Sequence, residues 1–273
     1  MSETELLIKL GKRILARIRP SKKNKLPQAS TPEIFSSVGY KLETHFFSHA
    51  SSNAPTLLMC TDFPDTANSF LEERYPIPCA EIFHLGYNLL LFDPAGRGGS
   101  WGTEDYGGLE HQDNISTLLN WINQQIPQSD IGVVSFGCGL SMAIGGITAY
   151  NNDVSFLIDF EGPSDEEFLG KYYDLPKKKT DSYFWKERSP ILLLESFTTR
   201  YIRFQTDKDH RSAYDMRHCN RIFRQLKKQQ HPQYQLNDHP MGTYPPQPQL
   251  LVADRRVIQQ KWVHVLRSLY NER

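Results

Sequence analysis

The chain has 273 residues, of which 39% are hydrophobic and 12% aromatic. It is long enough to bury a sizeable core, and it fits one large domain better than two small ones. Its 31 Lys and Arg balance its 31 Asp and Glu, so the charge gives no reason to expect nucleic acid as a partner.

The four cysteines include no Cys-x-x-Cys pair, which argues against a disulfide framework and against a zinc site. Free thiols in a reducing compartment are favoured, and we expect a cytoplasmic protein. No apolar run reaches the roughly 18 residues that a membrane-spanning helix needs. No motif calls for a metal or another cofactor.

Residues 1–33 are predicted to be a basic helix and linker that precede a main domain at 34–273. Within 3–19 the apolar residues recur on one helical face, and Pro20 ends the pattern. The helix could dock on the protein body, make a peripheral contact with an anionic membrane, or serve as an address or partner helix. The apolar face consists of Leu7, Leu10, Ile14 and Ile18.

From residue 35 onward, short apolar runs alternate with helical patterns, which indicates βαβ units and an α/β fold with a mainly parallel sheet flanked by helices. The polar and aromatic stretch 163–190 interrupts the alternation and is predicted to be a cap insertion. The predicted strands are Val38–Phe47 (one or two edge strands), Thr56–Cys60, Asn88–Phe92, Asp130–Val134, Ser155–Phe160, Tyr201–Gln205 and, more weakly, Gln233–Asn237. The predicted helices are 67–85, 110–125, 139–150, 213–229 and 250–270.

Three segments carry motifs. In 88–102 a buried strand runs into a Gly-rich turn, which is no phosphate loop because the Gly-Lys-Ser/Thr ending is missing. Segment 105–125 is an amphipathic helix, and 130–146 has the pattern of a strand, a sharp turn and a helix.

In this order the three segments resemble the α/β-hydrolase superfamily, most closely its dienelactone-hydrolase and X-prolyl-peptidase/cocaine-esterase branches. The resemblance spans roughly residues 38–270, and it implies an eight-stranded type of sheet with a nucleophile elbow in the third segment. The residues that match the family's Asp-x-x-Gly-x-Gly-x-Ser and Glu-x-x-Asp patterns are Asp93, Gly96, Gly98, Ser100, Glu110 and Asp113.

The elbow implied by the resemblance centres on Gly137, where the family has its nucleophile. The flanking residues of an elbow must be small because helix and strand pack closely there, and Ser135 and Gly139 meet that requirement. A frame centred on Cys138 would have bulky flanks, and one centred on Ser135 would leave the serine inside the strand. Glycine tolerates the strained backbone but offers no nucleophilic atom.

The oxyanion hole that the resemblance implies is altered as well. Thr61 and Asp62 stand where the family often has His-Gly after its third strand. A carboxylate at Asp62 would repel a developing oxyanion, although the N–H of Cys138 could still donate one hydrogen bond.

The other two triad positions are predicted in later loops. The turn after the seventh strand offers Asp209 as the acid, with Asp207 second. The chain order of the family then points to His239 as the histidine, with His210 a weaker candidate. Asp209 could equally be a turn residue or a helix cap, and His239 an ordinary loop histidine.

Three functional hypotheses follow. In the first, the protein has lost serine-hydrolase chemistry and binds an unknown small molecule or protein partner in a pocket under the cap. In the second, it is an active esterase- or peptidase-like hydrolase that uses Cys138 as a displaced nucleophile with Asp209 and His239. In the third, residues 3–19 make it an adaptor on a membrane or a complex. The predicted pocket residues are Asp62, Phe63, Trp101, Phe136, Cys138 and Tyr172 or Tyr173.

Overall fold

The structure is a computed structural model, and it describes residues 25–50, 53–151, 153–165, 182–206, 217–231, 233–242 and 255–272. The helix expected over 3–19 lies outside these ranges, as does most of the predicted cap, with Tyr172 and Tyr173. The loop predicted to carry Asp207, Asp209 and His210 lies outside them too.

Nine strands form within the described residues. They are β1 (Ile34–Phe35), β2 (Lys41–Leu42), β3 (Thr44–Phe47), β4 (Thr56–Cys60), β5 (Asn88–Phe92), β6 (Ile131–Phe136), β7 (Phe156–Phe160), β8 (Arg200–Phe204) and β9 (Tyr234–Leu236). Seven of them make one sheet in the order β3-β5-β4-β6-β7-β8-β9, in which only β3 is antiparallel to its neighbour. This confirms the mainly parallel α/β sheet. Seven described strands make the sheet, where an eight-stranded type is predicted, and β1 and β2 pair with each other in a separate two-stranded sheet.

Eight α-helices lie within the described residues. They are α1 (Ala67–Leu71), α2 (Cys79–His84), α3 (Leu109–Gln125), α4 (Gly139–Ala149), α5 (Ser182–Arg188), α6 (Pro190–Leu193), α7 (Arg217–Lys228) and α8 (Arg255–Asn271). The single helix predicted over 67–85 is wrong, because Pro76 and Pro78 lack the N–H groups that a continuous helix would need there. None of the helices in the described part of the chain is both long and apolar enough to span a membrane.

The core lies in two layers, one on each face of the sheet. Alternate residues of a strand point to opposite faces, so Leu58 packs with Ile115 of α3 and Ile144 of α4, whereas Leu57 lies in the layer that contains Trp262 of α8. All five of these side chains are completely shielded from solvent. The parallel strands are therefore buried on both faces, as their continuous apolar sequences indicate.

The carboxyl ends of the parallel strands meet at one edge of the sheet. The residues that follow β4, β6, β7 and β8 include Asp62, Gly137, Glu161 and Thr206 in turn. In open parallel sheets, ligands bind in the crevice outside these strand ends. The topology therefore brings four loops of distant sequence together at the place where a site is expected.

Candidate functional site

The elbow, Ser135–Gly139, joins β6 to α4 through a sharp turn with Gly137 at its apex. Gly137 has a φ of 50°, in the left-handed region that favours glycine. Its N–H donates to the carbonyl of Phe160 (3.1 Å), and its own carbonyl accepts from the N–H of Leu140 (3.1 Å). A Cβ at Gly139 would press against the carbonyl oxygens of the β4 end, which explains the small residue there.

The carboxyl group of Asp62 lies directly against the apex of the elbow. Its Oδ1 accepts hydrogen bonds from the backbone N–H of Cys138 and from that of Phe63, each 2.8 Å long. A Cβ built on Gly137 would overlap all three carboxyl atoms of Asp62. In active members of the fold, the N–H after the nucleophile and an N–H from this same loop form the oxyanion hole. Here both N–H groups are engaged by a side chain of the protein itself.

The position of Asp62 suits an anion. Its carboxylate sits at the N-terminus of α4, where free N–H groups and the helix dipole stabilise negative charge. Asp62 is only 4% exposed. A buried carboxylate needs such partners, since its loss of hydration is otherwise unfavourable. The structure places this carboxylate against the N–H of Cys138, and the disturbance of an oxyanion hole by Asp62 stays a prediction.

The loop that carries Asp62 is tied down on several sides. The carbonyl of Asp62 accepts from the Nη1 of Arg97 (3.1 Å) and from the N–H of Asp65 (2.9 Å). Its N–H donates to the hydroxyl of Tyr75 (2.8 Å), which in turn donates to Oδ2 of Asp65 (2.7 Å). Burial, reinforced by the charges of Asp62 and Asp65, raises the pKa of Tyr75. This network fixes the carboxylate beside the elbow.

A cavity of about 170 Å³ opens beside Gly137. One wall is aromatic: the rings of Phe136 and Phe160 stack with centroids 4.8 Å apart, and the ring of Tyr75 lies 4.2 Å from that of Phe136. Another wall is polar, with Glu161 accepting from the backbone N–H (2.9 Å) and the hydroxyl of Thr206. The described lining residues are Asp62, Asp65, Arg74, Tyr75, Pro76, Phe136, Gly137, Phe160, Glu161, Thr206 and Ile258.

The five described residues that the sequence predicts to line a pocket lie in three different regions of the structure. Asp62 and Phe136 line the cavity. Phe63 and Cys138 instead pack in a small apolar cluster on the neighbouring side of the elbow. Trp101 is 59% exposed and is not among the described lining residues, because the Gly-rich turn directs it outward.

The side chain of Cys138 is covered by the described end of the predicted cap. It is 6% exposed and packs against Trp185 of α5, with Phe63 and other aromatic rings around the pair. Helix α5 is anchored on the body of the protein by Arg188, whose Nε donates to the carbonyl of Asp105 (3.0 Å) and whose carbonyl accepts from Ser141 (2.7 Å). The thiol is therefore enclosed by packing.

His239 lies where the resemblance places the triad histidine, in the turn after β9. It is half-buried, and its N–H donates to the carbonyl of Leu236 (3.0 Å). It is not among the described residues that line the cavity. Its role as a catalytic histidine stays a prediction, because the predicted acid, Asp209, lies outside the described residues.

The Gly-rich turn after β5 has a structural role, because its hydrogen bonds hold the turn against neighbouring elements. The carboxylate of Asp93 accepts from the N–H of Ala67 (2.7 Å) and of Gly99 (2.9 Å), and its carbonyl accepts from the hydroxyl of Ser100 (2.6 Å). Gly98 has a φ of 52°, and a Cβ there would overlap the same carboxylate. Asp93 thus takes up one N–H group of the turn, that of Gly99, which could otherwise face a ligand.

Sequence reasoning missed five polar residues of the described lining of the cavity: Asp65, Arg74, Tyr75, Glu161 and Thr206. Glu161 and Thr206 follow strand ends directly or after one residue, which is the one signal that could have found them. Tyr75 comes from the stretch that was predicted as helix. Among the described residues, no group of three or more His, Cys, Asp and Glu is placed to hold a metal ion.

No protein-family model matches the sequence, and a search of curated proteins found no match either. Solved structures do share the fold. An esterase of Pyrococcus furiosus superposes with a TM-score of 0.66 at 18% identity, over 90% of this chain and 92% of that one. A serine hydrolase without a lid from Xanthomonas campestris gives 0.53 at 14% identity, over 90% and 93%.

The acylaminoacyl peptidase of Pyrococcus horikoshii is a larger relative in fold. It superposes with a TM-score of 0.63 at 13% identity, over 90% of this chain but 42% of the peptidase. At these identities the likenesses show the fold alone, and that fold is the α/β-hydrolase fold which the motifs indicate.

Proposed function

We propose that this α/β-hydrolase-fold protein does not carry out acyl transfer at its elbow, and that it binds a small molecule in the cavity beside Gly137. The observation that carries the proposal is the carboxylate of Asp62, which accepts hydrogen bonds from the N–H groups of Cys138 and Phe63. Those donors are the ones that would stabilise the oxyanion of a tetrahedral intermediate.

Two requirements of serine hydrolysis fail together at this place. Gly137 supplies no nucleophilic oxygen, and the loss of a nucleophile costs on the order of 10⁶-fold in rate. The residual catalysis of such enzymes comes from the oxyanion hole and substrate binding. A negative charge in the hole opposes the charge that develops in the transition state, so this residual rate is lost as well.

Ligand binding is supported by the cavity itself. It combines apolar aromatic walls with a few polar groups that converge from separate loops, which is the usual make-up of a small-molecule site. The second hypothesis, in which Cys138 attacks, finds less support because Trp185 covers the thiol. A protein partner and an adaptor role of residues 3–19 stay predictions.

The test is an assay for acyl-transfer chemistry with the full chain. Wild-type protein is incubated with a fluorophosphonate probe and with a panel of p-nitrophenyl esters, and an active esterase of the same fold serves as positive control. We expect neither labelling nor turnover above the rate of buffer. Stoichiometric labelling or turnover by the wild-type protein would contradict the proposal. If Cys138→Ala retains that activity, the nucleophile lies elsewhere; if Cys138→Ala loses it, Cys138 is the displaced nucleophile.

A further inference from the structure

Two acidic side chains of the cavity beside Gly137 have partners within the protein. Oδ1 of Asp62 accepts hydrogen bonds from two backbone N–H groups, each 2.8 Å long. Glu161 accepts from the backbone N–H of Thr206 (2.9 Å) and from its hydroxyl. Both carboxylates are therefore stabilised by donors of the protein itself, and a ligand that bonded to them would compete with bonds that already exist.

The third carboxylate of the lining, that of Asp65, is paired with a cation. It lies 4.0 Å from Nη1 of Arg74, and it accepts from the hydroxyl of Tyr75 (2.7 Å). Nη2 of Arg74 lies 2.6 Å from a carboxylate oxygen of Glu72. A charged ligand would have to give up its hydration beside ions that are already paired or hydrogen-bonded, which is unfavourable.

The apolar wall of the cavity is a row of stacked rings. Phe136, Phe160 and Phe204 are register partners on β6, β7 and β8. The centroids of Phe136 and Phe160 are 4.8 Å apart at an interplanar angle of 6°, and those of Phe160 and Phe204 are 5.0 Å apart at 13°. Because β7 lies between β6 and β8, both faces of the Phe160 ring are covered.

This row offers the cavity a ring edge rather than a ring face at Phe160. The edge of an aromatic ring is positive and its face negative, so an edge attracts the face of another aromatic ring. A cation, by contrast, is bound over a ring face. Pro76 and Ile258 complete the apolar lining with aliphatic surface. The wall therefore favours a flat, electron-rich ring over a cation.

The size of the cavity limits the ligand to a single ring. An engineered cavity of about 150 Å³ in another protein holds benzene. The present cavity of about 170 Å³ therefore accommodates roughly six to eight non-hydrogen atoms.

We propose that the cavity binds a small, uncharged aromatic molecule. The face of its ring lies against the edge of Phe160, and Ile258 packs on the same ring. This inference rests on the proposed function, since it names the ligand class of the same cavity, but it makes separate claims about charge and aromaticity. A charged or an aliphatic ligand would satisfy the proposed function and not this assignment.

Four probes of similar size separate these possibilities: benzyl alcohol, cyclohexylmethanol, benzylammonium and benzoate. Their binding to the full chain is measured in one buffer by calorimetry and by ligand-observed NMR. We expect benzyl alcohol to bind about threefold to tenfold more tightly than cyclohexylmethanol, because only the aromatic ring makes the edge-to-face contact. Each of the two ions should bind about tenfold more weakly than benzyl alcohol, or more weakly still.

A cavity-filling variant locates the binding. Ile258→Phe places a larger side chain in the lining, so it should weaken benzyl alcohol by about tenfold or more. Val257→Phe is the matched control, because Val257 is the adjacent residue of α8, is 39% exposed and is not among the described lining residues. It should leave binding unchanged.

A second pair of variants tests the aromatic contact. Phe160→Leu keeps an apolar wall but removes the ring edge, so the preference for benzyl alcohol over cyclohexylmethanol should fall to near onefold. Phe204→Leu removes a ring of the same row that is not among the described lining residues, and it should keep the preference. Circular dichroism and thermal melting verify that each variant is folded.

The possible failures are distinguishable. If cyclohexylmethanol or either ion binds as tightly as benzyl alcohol, or if benzyl alcohol does not bind, the assignment of an uncharged aromatic ligand is overturned. It is likewise overturned if Val257→Phe weakens benzyl alcohol as much as Ile258→Phe does. Labelling of the wild-type protein by the fluorophosphonate probe would instead overturn the proposed function, whatever the four probes do.

Discussion

The carboxyl group of Asp62 occupies the space in which a side chain at Gly137 would begin. Gly137 and Asp62 therefore depend on each other, because the carboxylate can reach the N–H of Cys138 only if residue 137 has no side chain. The two departures from the hydrolase pattern that the sequence predicts, at Gly137 and at Asp62, are therefore sterically coupled. This coupling makes the pair accessible to a double-mutant cycle.

Gly137→Ser should destabilise the protein by roughly 3 kcal/mol. The new side chain combines left-handed backbone strain with overlap of the Asp62 carboxyl group. In an Asp62→Ala background the overlap is gone, and the cost of the serine should fall to about 1–2 kcal/mol of strain. Urea denaturation of the four proteins measures the coupling. Strictly additive costs would contradict the steric relationship.

Asp62 should contribute to stability through its acceptor oxygen more than through its charge. Asp62→Ala leaves the N–H groups of Cys138 and Phe63 without their partner, and we expect a loss of about 1–3 kcal/mol. Asp62→Asn keeps an acceptor and loses the favourable interaction with the N-terminus of α4, which is worth about 1 kcal/mol or less. Denaturant midpoints should follow the order wild type, Asn, Ala. An asparagine variant as unstable as the alanine variant would show that charge dominates.

Much of the fold follows from local sequence pattern. The strands Thr56–Cys60 and Asn88–Phe92 have the predicted bounds, because continuous apolar runs between turn residues leave little choice of structure. The helix predicted over 139–150 ends one residue earlier, at Ala149. Pro76 and Pro78 indicate a break in the helix predicted over 67–85, but the apolar periodicity of that segment favours a continuous helix.

The site is less predictable because it is built from contacts between distant segments. The sequence places Asp62 after a strand and Gly137 in a turn, but it does not reveal that the carboxylate reaches across to the N–H of Cys138, 76 residues away. Glu161 has no motif around it. Its place in the cavity depends on the parallel order of β6, β7 and β8, which only the assembled sheet defines.

A buried ion pair supports the strands behind the cavity. Asp159 of β7 and Arg203 of β8 are completely shielded from solvent and bonded to each other, and the Tyr201 hydroxyl donates to the same carboxylate (2.5 Å). Arg203→Met removes one partner and leaves a buried charge, so we expect a loss of about 3–5 kcal/mol. The double variant Asp159→Leu/Arg203→Met should be more stable than Arg203→Met alone. Equal stability of the two variants in urea would contradict this account.

Stability should decline in mild acid because of His111. Burial, with the charge of Arg97 acting in the same direction and Glu104 and Asp105 opposing it, lowers the pKa of His111 from 6.5 to about 4. Between these values the unfolded chain holds a proton that the folded chain does not, so the free energy of unfolding falls as the pH drops from 6.5 towards 4. The loss should approach roughly 3 kcal/mol.

The measurement is the urea midpoint of wild type and His111→Gln between pH 7 and pH 4. Glutamine can both donate and accept, so it can replace the contacts of the ring with Gly107 and Ala95. We expect a shallower pH dependence in this variant. Burial also lowers the pKa of His231, so His231→Gln is the companion variant that accounts for part of the remaining slope. An unchanged slope in His111→Gln would place the acid sensitivity elsewhere. The pKa of Glu104 is also lowered, so Glu104 adds a further loss of stability as the pH falls below its usual pKa of 4.5.

The thiol of Cys138 should be inert until Trp185 is removed. All four cysteines are buried, and burial raises the pKa of Cys79 to about 12 and that of Cys219 to about 11, so few thiolates form near neutral pH. Native protein should therefore react slowly with Ellman's reagent, and protein in urea should react at once. Trp185→Ala uncovers Cys138, so one thiol per chain should react faster with Ellman's reagent. Adding Cys138→Ala should abolish this faster reaction. Rapid, stoichiometric labelling of Cys138 in the wild-type protein would contradict the enclosure and favour the displaced-nucleophile hypothesis, because a thiol that can attack a substrate must be reachable by a small electrophile.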